Sequence, residues 1–432
     1  MMNYSPHQHF ACFFNDKHLA PYFYALSKKM QAGNICLDLN VLPENEDFWN
    51  EYDSPHELSK QLPVNPNLIG ETLDSKKPFI LSNDKLYIGR NYYYETKVVN
   101  TLKELLESEK PFFEERKAKL IANASFVQQL RSVDQNLANY ETDEKPDWQL
   151  SAAILGFMGN ISIITGGPGT GKTTTVAKIL ALLQKTEPNL TIALTAPTGK
   201  AAVRMKESLQ NTINDARNQH LRIEELVNRL EPKTIHRLLG AKYQSPFFKH
   251  TKNNPIDYDV VIVDEASMIG VGLFAKLLDA LKKNSRLIIL GDSNQLASVD
   301  SGSLFGDICS GLIENENQFT PPHLEFLNRF LEDQRQLDST YALAHKTSFL
   351  NEHLVRLKKT YRYEQSSKMG QFTKAVIQGN ADVLNDILAI KESSLHLDEE
   401  YSEALFHQFI KYYHAYIEEP DINKALKNLT SR

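Results

Sequence analysis

The stretch ISIITGGPGTGKTTT, residues 161–175, predicts a β-strand, a glycine-rich loop and the start of a helix in direct succession. Gly166, four further residues and then Gly171-Lys172-Thr173 have the spacing of a P-loop, which binds nucleotide phosphates. The positive end of the following helix favours the same anion. The alternative is a plain glycine-rich turn, which the complete motif between a strand and a helix disfavours.

The residues of this loop have distinct predicted roles around a bound nucleotide. Glycines let the backbone turn tightly and direct its N–H groups at phosphate oxygens. Lys172 is expected to reach the β- and γ-phosphates, and the Thr173 hydroxyl is a predicted Mg²⁺ ligand. The predicted nucleotide-binding residues of the loop are Gly166, Gly167, Pro168, Gly169, Thr170, Gly171, Lys172, Thr173 and Thr174.

Apolar strand-like runs alternate with helical stretches through the middle of the chain. After the first strand come TIALT at 191–195, DVVIV at 259–263 and RLIIL at 286–290. This alternation predicts an α/β fold, in which helices cover both faces of a parallel sheet. Ligands of such folds bind beyond the carboxyl ends of the strands.

Two adjacent carboxylates, Asp264 and Glu265, directly follow the third predicted strand. They are therefore expected at the same sheet edge as the P-loop. Asp264 is a candidate for holding Mg²⁺, and Glu265 for orienting and deprotonating the water that attacks the γ-phosphate. An acidic helix N-terminus is the alternative interpretation, since the helix dipole favours carboxylates there.

Two further segments place polar side chains near the predicted strand ends, and a third carries a single arginine. GDSNQL begins at Gly291 and brings Gln295 to the edge, where it could contact the γ-phosphate or be merely solvated. TAPTGKAA, residues 195–202, suits a phosphate backbone, although a capped helix has the same pattern. The single Arg362 in LKKTYRY is by itself more typical of a surface charge.

Composition indicates a globular protein of several domains. The chain has 432 residues, 41% hydrophobic and 24% charged, without an apolar run near the roughly 20 residues of a membrane span. Its net charge of −6 means that any polyanion site must be local. No secretion signal is evident and the three cysteines are scattered, so a cytoplasmic protein without membrane contact is expected.

Four regions follow from the pattern along the chain. Residues 1–112, rich in aromatics and short strand-like pieces such as KLYIGRNYYYE at 85–95, predict a small α+β domain. Residues 113–147 predict a helical connector and a polar linker, and 148–350 the ATPase domain. Residues 351–432 lack a clear strand series.

Seven ordered segments together resemble superfamily 1 DNA helicases of the RecD type. They are Gln149, TGGPGTGKTTT, TAPTGKAA, TIHRLLG, VVIVDEASMI, GDSNQLASVDSG and LKKTYRY. The resemblance is strong from Gln149 to Arg362. Before it, NICLDL and YYYE are similar, more loosely, to the branch that works as a subunit of the RecBCD complex.

This resemblance implies a RecA-like ATPase domain followed by the start of a second one. It implies that Gln149 recognises adenine, that Lys172, Glu265, Gln295 and Arg362 are catalytic, and that Thr173 and Asp264 hold Mg²⁺. Arg362 would stabilise transition-state charge from the second domain. The implied DNA-contacting residues are Thr195, Pro197, Thr198, Lys200 and His236.

The activity implied is ATP hydrolysis coupled to 5′–3′ movement on single-stranded DNA, with Mg²⁺ as cofactor. The implied partners are single-stranded and duplex-end DNA and the RecB and RecC subunits, in repair of double-strand breaks by recombination. The N-terminal domain is expected to dock onto these partners. No nuclease-type carboxylate cluster is evident, so DNA cleavage is assigned to another subunit.

The chain departs from the family pattern at its end. A second RecA-like domain should contribute a Gln-Gly-rich DNA-contacting segment and a final arginine, and neither is evident within residues 363–432. We therefore expect an incomplete second domain and weak unwinding by the chain alone. The rival interpretations are a non-unwinding ATP-binding assembly module, a stand-alone RecD-like helicase, and a P-loop ATPase or kinase acting on a protein or small molecule.

Overall fold

The computed structural model describes two compact units, Met1–Tyr361 and Arg362–Arg432. The described residues are 5–43, 46–52, 58–132, 145–245, 247–295, 302, 304–312, 316–343, 348–361, 367–389, 402–411 and 413–425.

The first unit contains two sheets and the helices that cover them. Its strands are β1 Cys36–Asp38, β2 Ile69–Gly70, β3 Phe79–Ser82, β4 Lys85–Ile88, β5 Ile161–Thr165, β6 Ile192–Ala196, β7 Pro232–Thr234, β8 Val260–Val263, β9 Arg286–Gly291 and β10 Leu354–Arg356. Its helices are α1 Pro6–Phe13, α2 Ala20–Gln31, α3 Glu46–Trp49, α4 Gly89–Ala122, α5 Ala124–Gln129, α6 Trp148–Met158, α7 Lys172–Thr186, α8 Gly199–Asn214, α9 Glu224–Arg229, α10 Ile235–Leu238, α11 Val271–Asp279, α12 Leu304–Ser310 and α13 Pro321–Asn328.

The smaller sheet has the strand order β1-β4-β3-β2 and lies near the N-terminus. Its core is aromatic: the rings of Phe23 and Phe79 stack with centroids 4.1 Å apart, and Tyr24 stacks on Trp49. The strand expected over residues 85–95 ends at Ile88, where α4 begins. The buried side chains that follow recur at helical spacing, so packing favours a helix there.

Helix α4 runs from the small sheet to the larger one. Lys97 on α4 pairs with Asp279 on α11 at 2.8 Å. Farther along α4, the buried Arg116 donates to the Met158 carbonyl oxygen at 2.7 Å and to Asn160 Oδ1 at 2.8 Å. The boundary expected at residue 112 therefore falls inside a continuous helix.

The larger sheet is entirely parallel, with the strand order β10-β5-β9-β8-β6-β7. Successive residues enter opposite cores. Ile163 and Val261 pack into the core that includes α4 and α11, while Ile164 and Ile262 pack into the core of α6, α7 and α8. The prediction of an α/β fold with helices on both faces of a parallel sheet is confirmed.

Strand β10 joins this sheet after residue 350, where the sequence had placed a domain boundary. Leu354 pairs with Ile163 and Arg356 with Thr165, in parallel. The structure therefore places the end of the first unit after Tyr361. The strand has only three residues, so it carries too little pattern to be seen in the sequence.

The second unit, by itself, is helical over its described residues. Its helices are α14 Lys368–Gln378, α15 Ala381–Ala389, α16 Glu403–Lys411 and α17 His414–Ile417. Ser367 caps α14 by accepting a hydrogen bond from the Gly370 N–H, and Gly379 ends that helix with φ of +64°. In the described part of the chain, no helix is long and apolar enough to cross a membrane.

Candidate nucleotide and nucleic-acid site

The P-loop lies between the buried strand β5 and helix α7, as its sequence predicts. Gly169 and Gly171 have positive φ, +78° and +87°, which glycine adopts without strain. A Cβ built on Gly171 would lie 2.1 Å from Gln149 Nε2. The loop therefore needs glycine at residue 171 both for its backbone angle and for the space that Gln149 fills.

Lys172 is at the end of the glycine-rich loop, and its side chain folds back over that loop. Its Nζ donates hydrogen bonds to the carbonyl oxygens of Gly166, at 2.6 Å, and Gly167, at 3.2 Å. The loop is tied to the neighbouring strand as well, since the Gly166 N–H donates to the Gly291 carbonyl oxygen at 3.3 Å. The ammonium group is thus held on the loop where phosphates would bind.

The Thr173 hydroxyl stands at the start of α7 and accepts a hydrogen bond of 3.1 Å from Ser208 Oγ. Ser208 belongs to α8, so this bond joins the P-loop helix to the helix that begins with the TGKAA segment. Sequence reasoning did not identify Ser208, since only tertiary packing brings it to the loop.

Asp264 and Glu265 emerge where β8 ends, at the same edge as the P-loop. Burial and the adjacent Glu265 charge raise the pKa of Asp264 to about 6, against a backbone hydrogen bond from Glu265 and the charge of Lys172. Glu265 has a φ of +53°, a left-handed conformation that is uncommon outside glycine. A strained carboxylate beside a buried one is typical of a functional site.

Asp264 and Thr173 offer oxygen donors of the kind that a divalent cation binds. A buried carboxylate whose pKa is raised gains most from a bound positive charge, and Mg²⁺ in phosphate sites uses only one or two protein oxygens. Within the described ranges, no group of three or more His, Cys, Asp or Glu side chains is arranged to hold a metal.

Gln295 lies at the end of the neighbouring strand, as expected. Ser267, which follows Asp264-Glu265, donates from Oγ to Gln295 Oε1 at 2.5 Å. On the other side, the Ser293 N–H donates to Thr165 Oγ1 at 3.2 Å. The structure therefore connects the loop after β9 both to the carboxylate segment and to the strand that leads into the P-loop.

Gln149 is buried at the start of α6, beside the P-loop. Its Nε2 donates to the Thr170 carbonyl oxygen at 3.3 Å. Gln149 and Thr170 line a small pocket with Arg335, Leu357 and Tyr361. A partly apolar pocket with an amide next to a phosphate loop is suited to a nucleobase.

Residues 357–359 and Tyr361 line the same pocket, a placement that the sequence did not reveal. The Leu357 N–H donates to the Thr165 carbonyl oxygen, and the Tyr361 N–H to that of Gly169, each at 2.8 Å. Thr360 Oγ1 donates to the Pro168 carbonyl oxygen at 3.2 Å. The segment was recognised by its motif, yet assigned to the second domain. Arg362 lies outside the described residues.

The residues expected to contact DNA are divided between surface and interior. Thr198 caps α8 by accepting from the Ala201 N–H at 3.2 Å, and both Thr198 and Lys200 are exposed. Pro197 is half-buried. Thr195 is fully buried and donates from Oγ1 to the Lys233 carbonyl oxygen at 2.9 Å. The structure thus corrects the assignment of Thr195, whose side chain joins β6 to β7 rather than facing a ligand.

His236 is exposed on α10, and its ring lies 5.7 Å from that of Phe248. Lys276 Nζ lies 5.2 Å from the Phe248 ring centre. His236, Phe248 and Lys276 line one surface groove. Arg90 and Tyr94 of α4 complete the lining together with the start of α11. Cations interleaved with aromatic rings suit a nucleic-acid strand.

A parallel sheet with a P-loop after one central strand and a carboxylate pair after another defines a P-loop ATPase. A family model described as an AAA domain matches residues 149–301, the same part of the chain.

Sequence similarity to known proteins shows which family of P-loop ATPases the chain resembles. The chain is 30% identical over 389 residues to the RecBCD enzyme subunit RecD of Haemophilus influenzae, covering 85% of this chain and 57% of that protein. It is 39% identical over 140 residues to the ATP-dependent RecD2 DNA helicase of Deinococcus radiodurans, covering 32% of this chain and 16% of that one. The chain belongs to the RecD-type helicases of superfamily 1.

The chain spans little more than half the length of the RecD relatives it matches, 57% of one and 52% of another. A solved structure of two coordinating Pif1 helicases at forked double-stranded DNA matches with a TM-score of 0.33 and 17% identity, over 61% of this chain and 56% of that one.

Proposed function

We propose that this chain is the ATPase part of a DNA helicase subunit, which couples ATP hydrolysis to 5′–3′ movement on single-stranded DNA. The observation that carries the proposal is the convergence of the P-loop, Asp264-Glu265 and Gln295 at one edge of a parallel sheet. The groups at this edge are suited to a nucleotide. The groove lined by His236, Phe248 and Lys276 is suited to a nucleic acid.

In this proposal the triphosphate lies on the P-loop. Backbone N–H groups from Gly166 to Thr174 bind its oxygens, and Lys172 exchanges its bonds to loop carbonyls for bonds to the β- and γ-phosphates. Thr173 and Asp264 are the residues that would hold Mg²⁺, which supplies positive charge to the phosphates. Gln149 binds the adenine edge.

Hydrolysis then depends on side chains at the ends of β8 and β9. Glu265 orients a water molecule and accepts its proton as it attacks the γ-phosphate. Gln295, which Ser267 holds by its amide oxygen, contacts the γ-phosphate and is released when that group leaves. Arg362 is proposed to stabilise the negative charge of the transition state.

DNA is proposed to contact the surface formed by Pro197, Thr198, Lys200 and His236. The α8 N-terminus carries both the Thr198 cap and Lys200, so a strand bound there lies on the helix that contacts Thr173 through Ser208. That connection supports coupling between DNA contact and the nucleotide site. Movement requires a second grip, which the family's second RecA-like domain provides, and we place the start of that domain after Tyr361, where the first unit ends.

We further propose that the chain assembles with RecB and RecC in the cytoplasm and acts at duplex DNA ends. The match to a RecD subunit extends over 85% of the chain, whereas the match to the RecD2 helicase covers 32%. This difference favours a subunit over a stand-alone helicase. Docking through the aromatic N-terminal region is the corresponding proposal for residues 1–112.

The test is ATP hydrolysis by the purified chain with and without single-stranded DNA, with Lys172→Gln as the blank. Stimulation by DNA that the variant loses supports a DNA-coupled ATPase. Hydrolysis that DNA does not change would favour an ATPase acting on another substrate, and ATP binding without hydrolysis would favour an assembly module. Strand displacement measured beside a longer chain that includes the whole second domain tests whether this chain unwinds poorly by itself.

A further inference from the structure

The side-chain amide of Gln149 is held by the protein at both ends. Its Nε2 donates to the Thr170 carbonyl oxygen, and its Oε1 accepts from Ser132 Oγ, each at 3.3 Å. An amide nitrogen has two hydrogens and an amide oxygen two lone pairs, so one of each is left for a ligand. The two bonds fix which end of the amide is the donor.

Ser132 is itself held by four polar contacts. Lys178 Nζ donates to Ser132 Oγ at 2.7 Å, and the same Oγ lies 2.9 Å from Asp147 Oδ1, so its single hydrogen is shared between Asp147 and Gln149. The Ser132 N–H donates to Asp147 Oδ2 at 2.7 Å, and Arg335 Nη1 donates to the Ser132 carbonyl oxygen at 2.8 Å.

The three charged residues around Ser132 are nearly inaccessible to water. Asp147 is 2% exposed, Lys178 3% and Arg335 4%. Burial alone would raise the pKa of Asp147, but the charges of Lys178 and Arg335 hold it below its usual value, so Asp147 is an anion. Buried charges are costly to maintain. Here they come from separate segments of the chain and surround one small hydroxyl-bearing residue.

We propose that Ser132 is a positioning residue that selects adenine over guanine nucleotides by fixing the orientation of the Gln149 amide. Adenine presents an N6 donor beside the N7 acceptor, whereas guanine presents the O6 and N7 acceptors. The observed orientation offers an oxygen to N6 and an N–H to N7. With guanine, Gln149 Oε1 would face O6, and two acceptors repel. The inference rests on the proposed role of Gln149 in binding the base.

The experiment measures equilibrium dissociation constants of ATP and GTP for the full chain and its variants in the presence of Mg²⁺. In Ser132→Ala the amide keeps only its bond to the Thr170 carbonyl oxygen and is less firmly oriented, so ATP binding weakens by about tenfold while GTP binding stays unchanged or strengthens. The separate variant Ser132→Thr keeps the hydroxyl and is expected to keep the preference for ATP over GTP. Ser132→Val matches Thr in shape without the hydroxyl and behaves as Ser132→Ala.

The remaining outcomes separate this inference from the proposed function. A wild-type chain that prefers ATP, with the same preference in Ser132→Ala, overturns the inference alone. So does an equal loss of ATP and GTP in Ser132→Ala and Ser132→Val, because a purely structural role has that effect. Failure of the wild-type chain to bind either nucleotide, or binding that Lys172→Gln leaves intact, contradicts the proposed function and the inference with it. If Ser132→Ala does not fold, Ser132→Cys provides the comparison.

Discussion

Gln149 fills the space that a side chain on Gly171 would need: a Cβ there would lie 2.1 Å from Gln149 Nε2. The Gln149 amide and the glycine-rich loop are therefore in direct contact. A change in the backbone of one therefore moves the other.

Gly171→Ala is expected to destabilise the chain and to weaken ATP binding. The φ of +87° costs a non-glycine residue about 1–3 kcal/mol, and the new Cβ displaces Gln149. Gly167→Ala is the matched control for stability, since its Cβ would meet nothing within 4 Å. Urea unfolding without nucleotide measures the stability of both variants. Equal stability of the two variants would contradict the prediction.

Glu265→Gln is expected to bind ATP with nearly unchanged affinity and to hydrolyse it about 10²–10⁴-fold more slowly, because the amide cannot accept the proton of the attacking water. Single-turnover hydrolysis and equilibrium binding separate the two effects. Glu104→Gln, an exposed change on α4, serves as the control. Undiminished hydrolysis in Glu265→Gln would remove this residue from the proposed mechanism.

Lys200→Ala is expected to weaken binding of single-stranded DNA of any sequence. Loss of one phosphate contact lowers the slope of log affinity against log salt by about 0.7. Fluorescence anisotropy at several salt concentrations measures the slope. Lys110→Ala is the control, since Lys110 is exposed on α4 next to Glu109, which accepts from the Asn160 N–H at the opposite edge of the sheet. Equal slopes in both variants would place the DNA elsewhere.

Glu187→Gln is expected to destabilise the chain by about 3 kcal/mol at neutral pH. Glu187 pairs with Arg286 at 2.7 Å and with Lys119 at 3.1 Å, and its removal leaves Arg286, which is 6% exposed, without its anion. Burial alone would raise the pKa of Glu187, but Arg286 and Lys119 lower it below 4.5.

The lowered pKa sets the pH dependence of this stabilisation. It is complete above the unfolded pKa, near 4.5, and is lost as pH falls through the lower folded pKa. Denaturant unfolding as a function of pH should therefore show a shallower acid slope in Glu187→Gln. Glu225→Gln, in an exposed pair with Arg229, should change little. An unchanged acid slope in Glu187→Gln would show that the pair does not control it.

The central strands of the large sheet were predictable because each is a continuous apolar run that both cores bury. β10 was not, since an edge strand of three residues is defined by its partner β5 rather than by its own pattern. The tyrosine-rich start of α4 was also assigned to a strand. Its aromatic and β-branched residues favour strands locally, and the burial of residues three and four apart determines the helix.

The P-loop and the carboxylates were predictable because their chemistry lies in short, contiguous motifs. The groups around Ser132 were not, since Asp147, Lys178 and Arg335 are far apart in sequence and meet only in the folded chain. Asp147 had been placed in a polar linker by composition. The structure describes the end of that segment, where Asp147 is buried and caps α6.

The hydrogen bonds from Thr360 and Tyr361 to the P-loop have a mechanical consequence. The polypeptide that leaves the large sheet is bonded to the glycine-rich loop, and the next residue, Arg362, begins the second unit. A shift of the loop on nucleotide binding or release would pull directly on the main chain at that point. The displacement would reach the residues after Tyr361 through the backbone itself, and the hydrogen bonds of Thr360 and Tyr361 determine how much of it is transmitted.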